Sequence, residues 1–156
     1  MSDPAHQTAP RTALVTGSAG FIGYHVARRL LAKGWRVVGL DAVTDYYDVR
    51  LKRARLAEPG AFEGFRPVEA RLEEPGRLAA LMGEERPGTV IHLAAQAGVR
   101  YSLEAPRSYV EANLVGTFEL LDAARAHPPA HLLMASTSSV YGANTEMPYA
   151  ETHKAD

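Results

Sequence analysis

Cysteine is absent from the 156 residues of this chain. That excludes a disulfide framework and any thiolate chemistry, permits a reducing compartment, and leaves a cytoplasmic location as the expectation. No apolar run approaches the roughly 20 residues of a membrane span, so no membrane partner is expected. The segment Met1 to Pro10 is polar and proline-bearing and lacks the apolar core of a signal peptide; residues 1–11 read as a disordered lead-in. An excess of charge is also missing. The formal net charge is −1, which points to neither nucleic acid nor an acidic membrane surface. There is no repeat and no low-complexity tract. No pair of histidines has metal-ligand spacing with an acidic partner, so no metal is expected, and the serines lack a G-x-S-x-G elbow. What is left is an ordinary globular composition and a length that suits one domain with a real core.

The stretch from Val15 to Gly23 dominates what is present. Gly17, Gly20 and Gly23 fall at spacing G-x-x-G-x-x-G between an apolar run, Ala13-Leu14-Val15, and a helical pattern from Tyr24 to Ala32. The first glycine turns the backbone sharply out of a strand. The second leaves no Cβ between the backbone and a diphosphate, and the third lets the helix pack close to the strand. The helix start then offers unpaired N–H groups and the positive end of its dipole to a phosphate. A glycine-rich turn with no ligand is the alternative. Asp41 favours the dinucleotide reading, because it ends the apolar run Trp35 to Leu40 about 20 residues past the glycines, where a carboxylate accepts hydrogen bonds from ribose hydroxyls. It would repel a 2′-phosphate, so NAD is favoured over NADP.

The rest of the chain alternates strand and helix. Strands are expected at 12–16, 36–40, 65–69, 89–93 and 131–136. Helices are expected at 20–33, 46–57, 75–82 and 106–126. In the first helix Ile22, Val26 and Leu30 recur at i+4 and face inward, with Arg28, Arg29 and Lys33 outward. Arg50, Lys52, Arg53 and Arg55 read as a solvated helix face, with a phosphate site as the alternative. His92 reads as a core histidine. The longest helix carries Val110, Leu114, Phe118 and Leu121 along one side. No hairpin signal appears, so the alternation predicts an α/β fold: a Rossmann-type doubly wound parallel sheet of about five strands. Ligands bind such sheets beyond the carboxyl ends of the strands, where Gly17, Asp41, Ala94 and Ser136 all lie. The hydroxyl cluster Ser136-Thr137-Ser138-Ser139 there either holds a substrate oxygen or is a polar strand exit with capping serines.

Four segments together resemble the extended short-chain dehydrogenase/reductase family: Thr16 to Gly23, His92 to Arg100, Asn113 with Gly116-Thr117, and Ser136 to Gly142. Within it the chain is most similar to NAD-dependent nucleotide-sugar epimerases. Asp45-Tyr46-Tyr47-Asp48, Leu51-Lys52-Arg53 and Ala97 to Leu103 resemble UDP-glucuronate 4-epimerases in particular. The resemblance implies that Gly17, Gly20, Phe21, Ile22, Gly23, Asp41, Leu72, Leu93, Ala94, Ala95, Gln96, Asn113 and Ser136 surround NAD. It implies that Thr137 takes the catalytic Ser/Thr place against the sugar 4-oxygen. Arg100, Ser138 and Ser139 are implied to serve a carboxylate-bearing UDP-sugar, a surface salt bridge being the alternative for Arg100. A homodimer or other self-association is implied as well.

Two departures accompany the resemblance. Arg71 stands where the family usually has an Asp against adenine. The family's Tyr-x-x-x-Lys pair is missing, since no tyrosine here has a lysine four residues later. The chain therefore resembles the N-terminal part of an epimerase, ending before the Tyr-x-x-x-Lys helix, and as it stands is expected to be inactive. An NAD-binding module without catalysis and a sugar-nucleotide 4,6-dehydratase relative are the alternatives. The dehydratases place Asp-Glu after the catalytic Thr, where Ser138-Ser139 stand here.

Overall fold

The structure, a computed structural model, describes residues 11–155; residues 1–10 of the expected lead-in lie outside the described residues. Five strands form one parallel sheet: β1 Thr12–Thr16, β2 Arg36–Asp41, β3 Phe65–Glu69, β4 Thr89–His92 and β5 His131–Met134. Their order is β3-β2-β1-β4-β5. The strand order therefore reverses between β1 and β4, all strands staying parallel, and the crevice at that switch point is where doubly wound folds take ligands.

Alternate residues of each strand feed two cores. Leu14, Val38, Leu40, Val68 and Val90 pack with Leu78, Leu81 and Met82 of α3 (Arg77–Glu85) and Leu120 and Ala123 of α6 (Gly116–Ala126). Val15 and Val37 pack on the other face with Ala27 and Leu31 of α1 (Phe21–Leu31). Both faces of the central strands are covered, which is why they read as continuous apolar runs.

Several expectations need correction. The buried stripe of α1 is Gly23, Ala27 and Leu31, whereas Ile22 is 62% exposed and Val26 and Leu30 are only half-buried. The helix is rotated by the approach of Gly23 to the β1 turn: a Cβ on Gly23 would lie 2.0 Å from the Gly17 carbonyl oxygen. The second helix, α2, runs Val49–Gly60 rather than 46–57, because Asp48 caps it by accepting the Arg50 N–H at 2.9 Å. α3 begins at Arg77 rather than Pro75, after Gly76 at φ +72°. The expected helix 106–126 is three pieces, α5 (Pro106–Tyr109), a π-helical segment (Val110–Val115) and α6, and a separate turn, α4 (Tyr101–Glu104), precedes it. β4 and β5 stop one and two residues early, at His92 and Met134.

Candidate nucleotide-binding site

A cleft of about 560 Å³ opens above the carboxyl ends of β1, β2, β3 and β4. Its wall at β1 is the glycine turn. Gly17 has φ +71°, and a Cβ there would lie 2.8 Å from the Ala94 nitrogen, so the turn and the β4 exit touch backbone to backbone. No side chain caps α1 at Gly20. Among the described residues the Phe21 and Ile22 N–H groups make no hydrogen bond, which leaves them for an anion at the helix start. The Ala19 N–H is different: it donates to Asp41 Oδ2 at 2.9 Å.

Asp41 thus ties two turns together, its Oδ1 accepting the Val43 N–H at 2.8 Å. Both carboxylate oxygens keep spare lone pairs for a hydroxyl from the cleft. Lys52 and Arg55 correct the reading of the basic run as a solvated face. Lys52 is 5% exposed; its ammonium donates to the Thr44 carbonyl at 2.7 Å and to Thr44 Oγ1 at 3.0 Å, holding the 42–48 loop beneath it. Burial holds its pKa below the ordinary lysine value, with the Asp41 and Asp45 charges opposing that shift. Arg55 donates to Tyr47 Oη at 3.1 Å. Both side chains line the cleft; only Arg50 and Arg53 fit the solvated reading.

The β4 side is fixed from beneath and from beside. Thr16 Oγ1 accepts the Leu93 and Ala94 N–H groups, each at 3.2 Å, and lies 2.8 Å from His92 Nδ1. A hydroxyl has two acceptor sites and one proton. With both acceptor sites taken, the proton goes to Nδ1, so His92 is the neutral tautomer protonated on Nε2. Burial lowers its pKa and favours the same state. The expectation of a core histidine is borne out. Asn113, in the π-helical segment, accepts the Gln96 N–H on Oδ1 at 2.8 Å and donates Nδ2–H to the Gln96 carbonyl at 3.0 Å. The wide π turn delivers one side-chain amide to both backbone groups of the loop.

Gly17, Gly20, Phe21, Asp41, Leu72, Leu93, Ala94, Ala95 and Gln96 therefore meet on one cleft. Gly23 lies behind the turn as packing. The Ile22 side chain faces a neighbouring apolar hollow with His25 and Val26. Asn113 acts on the cleft through Gln96. Ser136, Thr137, Ser138, Ser139 and Arg100 do not line it and are exposed; Thr137 Oγ1 accepts the Ser139 N–H at 3.3 Å, capping the short helix Ser138–Tyr141. Sequence reasoning missed Tyr46 and Tyr47 as cleft residues and gave Lys52 and Arg55 a ligand role only as the alternative to a solvated face. The Asp48 cap was the available signal, since it leaves Tyr46 and Tyr47 in a loop rather than on a helix.

A doubly wound parallel sheet with a glycine turn, an acidic second strand end and a small-residue fourth strand exit on one cleft defines a Rossmann-type nucleotide-binding domain. The chain belongs to the epimerase/dehydratase family whose model is described as GDP-mannose 4,6 dehydratase, matched over residues 14–156. It is 54% identical over 143 residues to a probable UDP-glucuronate 4-epimerase of Rhizobium meliloti, covering 92% of this chain and 42% of that protein. It is 44% identical to UDP-glucuronate 4-epimerase 1 of Arabidopsis thaliana, covering 97% of this chain and 35% of the relative. A crystal structure of UDP-glucuronic acid 4-epimerase from Bacillus cereus, in complex with UDP-glucuronic acid and NAD, superposes with TM-score 0.82 at 31% identity over 93% of this chain and 46% of the other. The chain thus spans less than half the length of these relatives and matches their N-terminal portion.

Proposed function

We propose that residues 12–156 are the NAD-binding portion of a nucleotide-sugar epimerase of the UDP-glucuronate 4-epimerase type. The observation that carries this reading is the convergence of Gly17, Gly20, Phe21, Asp41 and Leu93 to Gln96 on one cleft. Each part fits a dinucleotide. The glycine turn has no room for a Cβ at Gly17 or Gly23, and the free N–H groups of Phe21 and Ile22 suit a diphosphate. Asp41, held by two backbone N–H groups, presents a fixed carboxylate to ribose hydroxyls and disfavours a 2′-phosphate. When bound, NAD supplies hydride exchange at the sugar C4.

Thr137, carried on the exposed turn after β5, would orient the sugar 4-oxygen, with Ser138, Ser139 and Arg100 toward the sugar carboxylate. Thr137 has an alcohol's very high pKa and cannot take a proton near neutrality. A positioned base contributes about 10² to 10⁴ in rate, and this chain has no Tyr-x-x-x-Lys pair to supply one. The chain alone therefore holds NAD without epimerising. The names of its relatives, and Ser138-Ser139 after Thr137, favour an epimerase over a dehydratase. The partner proposed is a UDP-sugar.

The test is purified chain incubated with NAD and UDP-glucuronate, followed by chromatography for UDP-galacturonate. No product above a protein-free control is expected. Product from material shown by mass spectrometry to end at Asp156 would overturn the assignment of the missing base.

A further inference from the structure

Arg71 and Glu73 line the cleft at its β3 end, on either side of Leu72 and next to the strand that ends in Asp41. Arg71 Nε donates to Glu73 Oε1 at 2.6 Å. The Arg71 backbone N–H donates to Glu74 Oε1 at 3.4 Å, so the turn that presents the pair is itself tied down. Among the described residues, the outer guanidinium N–H groups and Glu73 Oε2 make no other hydrogen bond. Glu73 is largely shielded from water while Arg71 is half exposed. A donor and an acceptor thus stand side by side on a cleft wall, each with unused capacity.

The order of the sheet says what reaches them. With a diphosphate at the β1 turn and a ribose at the β2 end, the next group of a dinucleotide in that direction is the base, and the next strand is β3. Adenine presents an acceptor nitrogen next to its N6 amino donor on either hydrogen-bonding edge. Arginine is donor-only and an ionised glutamate acceptor-only. We infer that the Arg71–Glu73 pair reads the adenine of the bound dinucleotide, Arg71 donating to a ring nitrogen and Glu73 accepting from the N6 amino group, with the Leu72 side chain as an apolar wall of the same subsite. The inference rests on the proposal that the cleft holds NAD and adds the residues that select the base.

Hypoxanthine reverses the pattern. It carries a carbonyl at C6 and a proton on N1, so the Glu73 carboxylate faces an oxygen, and an arginine at N1 faces another donor. The test is calorimetric titration of the chain with NAD and with nicotinamide hypoxanthine dinucleotide. Wild type is expected to prefer NAD by about tenfold or more, a partly exposed version of the discrimination that polar sites impose when a partner group is lost. Glu73→Gln is expected to cut that preference to about threefold or less, because the amide can donate to the C6 carbonyl. Arg71→Met is expected to weaken NAD while Arg125→Ala, at the far end of α6, retains the wild-type preference. Equal binding of both dinucleotides by wild type, or an undiminished preference in Glu73→Gln, overturns the base assignment alone. Failure of wild type to bind NAD at all overturns this inference and the proposed function together.

Discussion

Asp41 and His92 each do more than their position at a strand end implies. The Asp41 carboxylate joins the glycine turn to the loop after β2 through Ala19 and Val43. Asp41→Ala therefore removes the proposed ribose partner and also frees two backbone N–H groups. It is expected to weaken NAD binding, relax discrimination against NADP, and lower stability by about 1–3 kcal/mol, the cost of orphaning part-buried donors. Calorimetry with both dinucleotides and urea denaturation check the two effects separately. His92 adds a pH dependence. Its folded pKa lies below the ordinary histidine value, so the folded state disfavours the proton. Above about pH 6.5 both states are neutral at this site; as pH falls below that, the unfolded chain takes up the proton first and stability declines. Protonation would also put a second donor against Thr16 Oγ1, whose acceptor sites are filled by Leu93 and Ala94. His92→Asn retains an acceptor for the Thr16 hydroxyl and does not titrate. The urea midpoint of wild type is expected to drop more between pH 7.5 and pH 5.5 than that of His92→Asn; equal drops would contradict the assignment. The place of Asp41 at the end of β2, on the cleft, was legible from its spacing to the glycines. Its bonds to Ala19 and Val43 were not, because they depend on how two loops fold toward each other.

α1 and the 106–126 segment show where periodicity succeeds and where it stops. The existence of α1 followed from the glycines before it and Gly34 after it. Its rotation did not, because hydropathy selects Ile22, Val26 and Leu30 while the backbone approach selects Gly23 and Ala27. Gly23→Ala places a methyl carbon into the Gly17 carbonyl, and Gly60, at the end of α2, has open space where its Cβ would lie. Denaturant unfolding should show a loss of about 3 kcal/mol or more for Gly23→Ala, at the upper end for overpacking. For Gly60→Ala it should show a change within about 0.5 kcal/mol, a helix-terminal share of the alanine–glycine difference. A tolerated Gly23→Ala would mean that α1 can move away from β1. The π-helical segment has no signature in the sequence, since Val110–Val115 reads as ordinary helix. Asn113 was singled out in the sequence only by resemblance. Its action through Gln96 follows from the π turn that aims it.

Across the whole molecule, the central strands are covered on both faces and β5 is not. Leu133 and Met134 are exposed on this outer strand, and among the described residues β5 pairs only with β4. Along the 106–126 segment Leu114 is 67% and Phe118 64% exposed, with Val110 and Leu121 about half exposed. The sequence placed these four on one side, and the structure leaves that side open. Contiguous apolar surface beyond a few hundred Å² usually finds a partner, so the chain is expected to self-associate. Light scattering over a wide concentration range should show the association, and Leu114→Lys with Phe118→Glu should reduce it; a monodisperse wild-type monomer would contradict it. No helix among the described residues is long and apolar enough to cross a membrane. The parallel sheet, the ligand position beyond its carboxyl ends and the glycine turn were legible because they rest on local patterns and one general topology; the order β3-β2-β1-β4-β5 came from the structure. The central claim, that the cleft above β1, β2 and β4 holds NAD, is tested most directly by calorimetric titration of the purified chain with NAD and NADP. Saturable one-to-one binding of NAD, with NADP at least about tenfold weaker because Asp41 faces its 2′-phosphate, is the expected result. No binding of NAD, or equal or tighter binding of NADP, would contradict it.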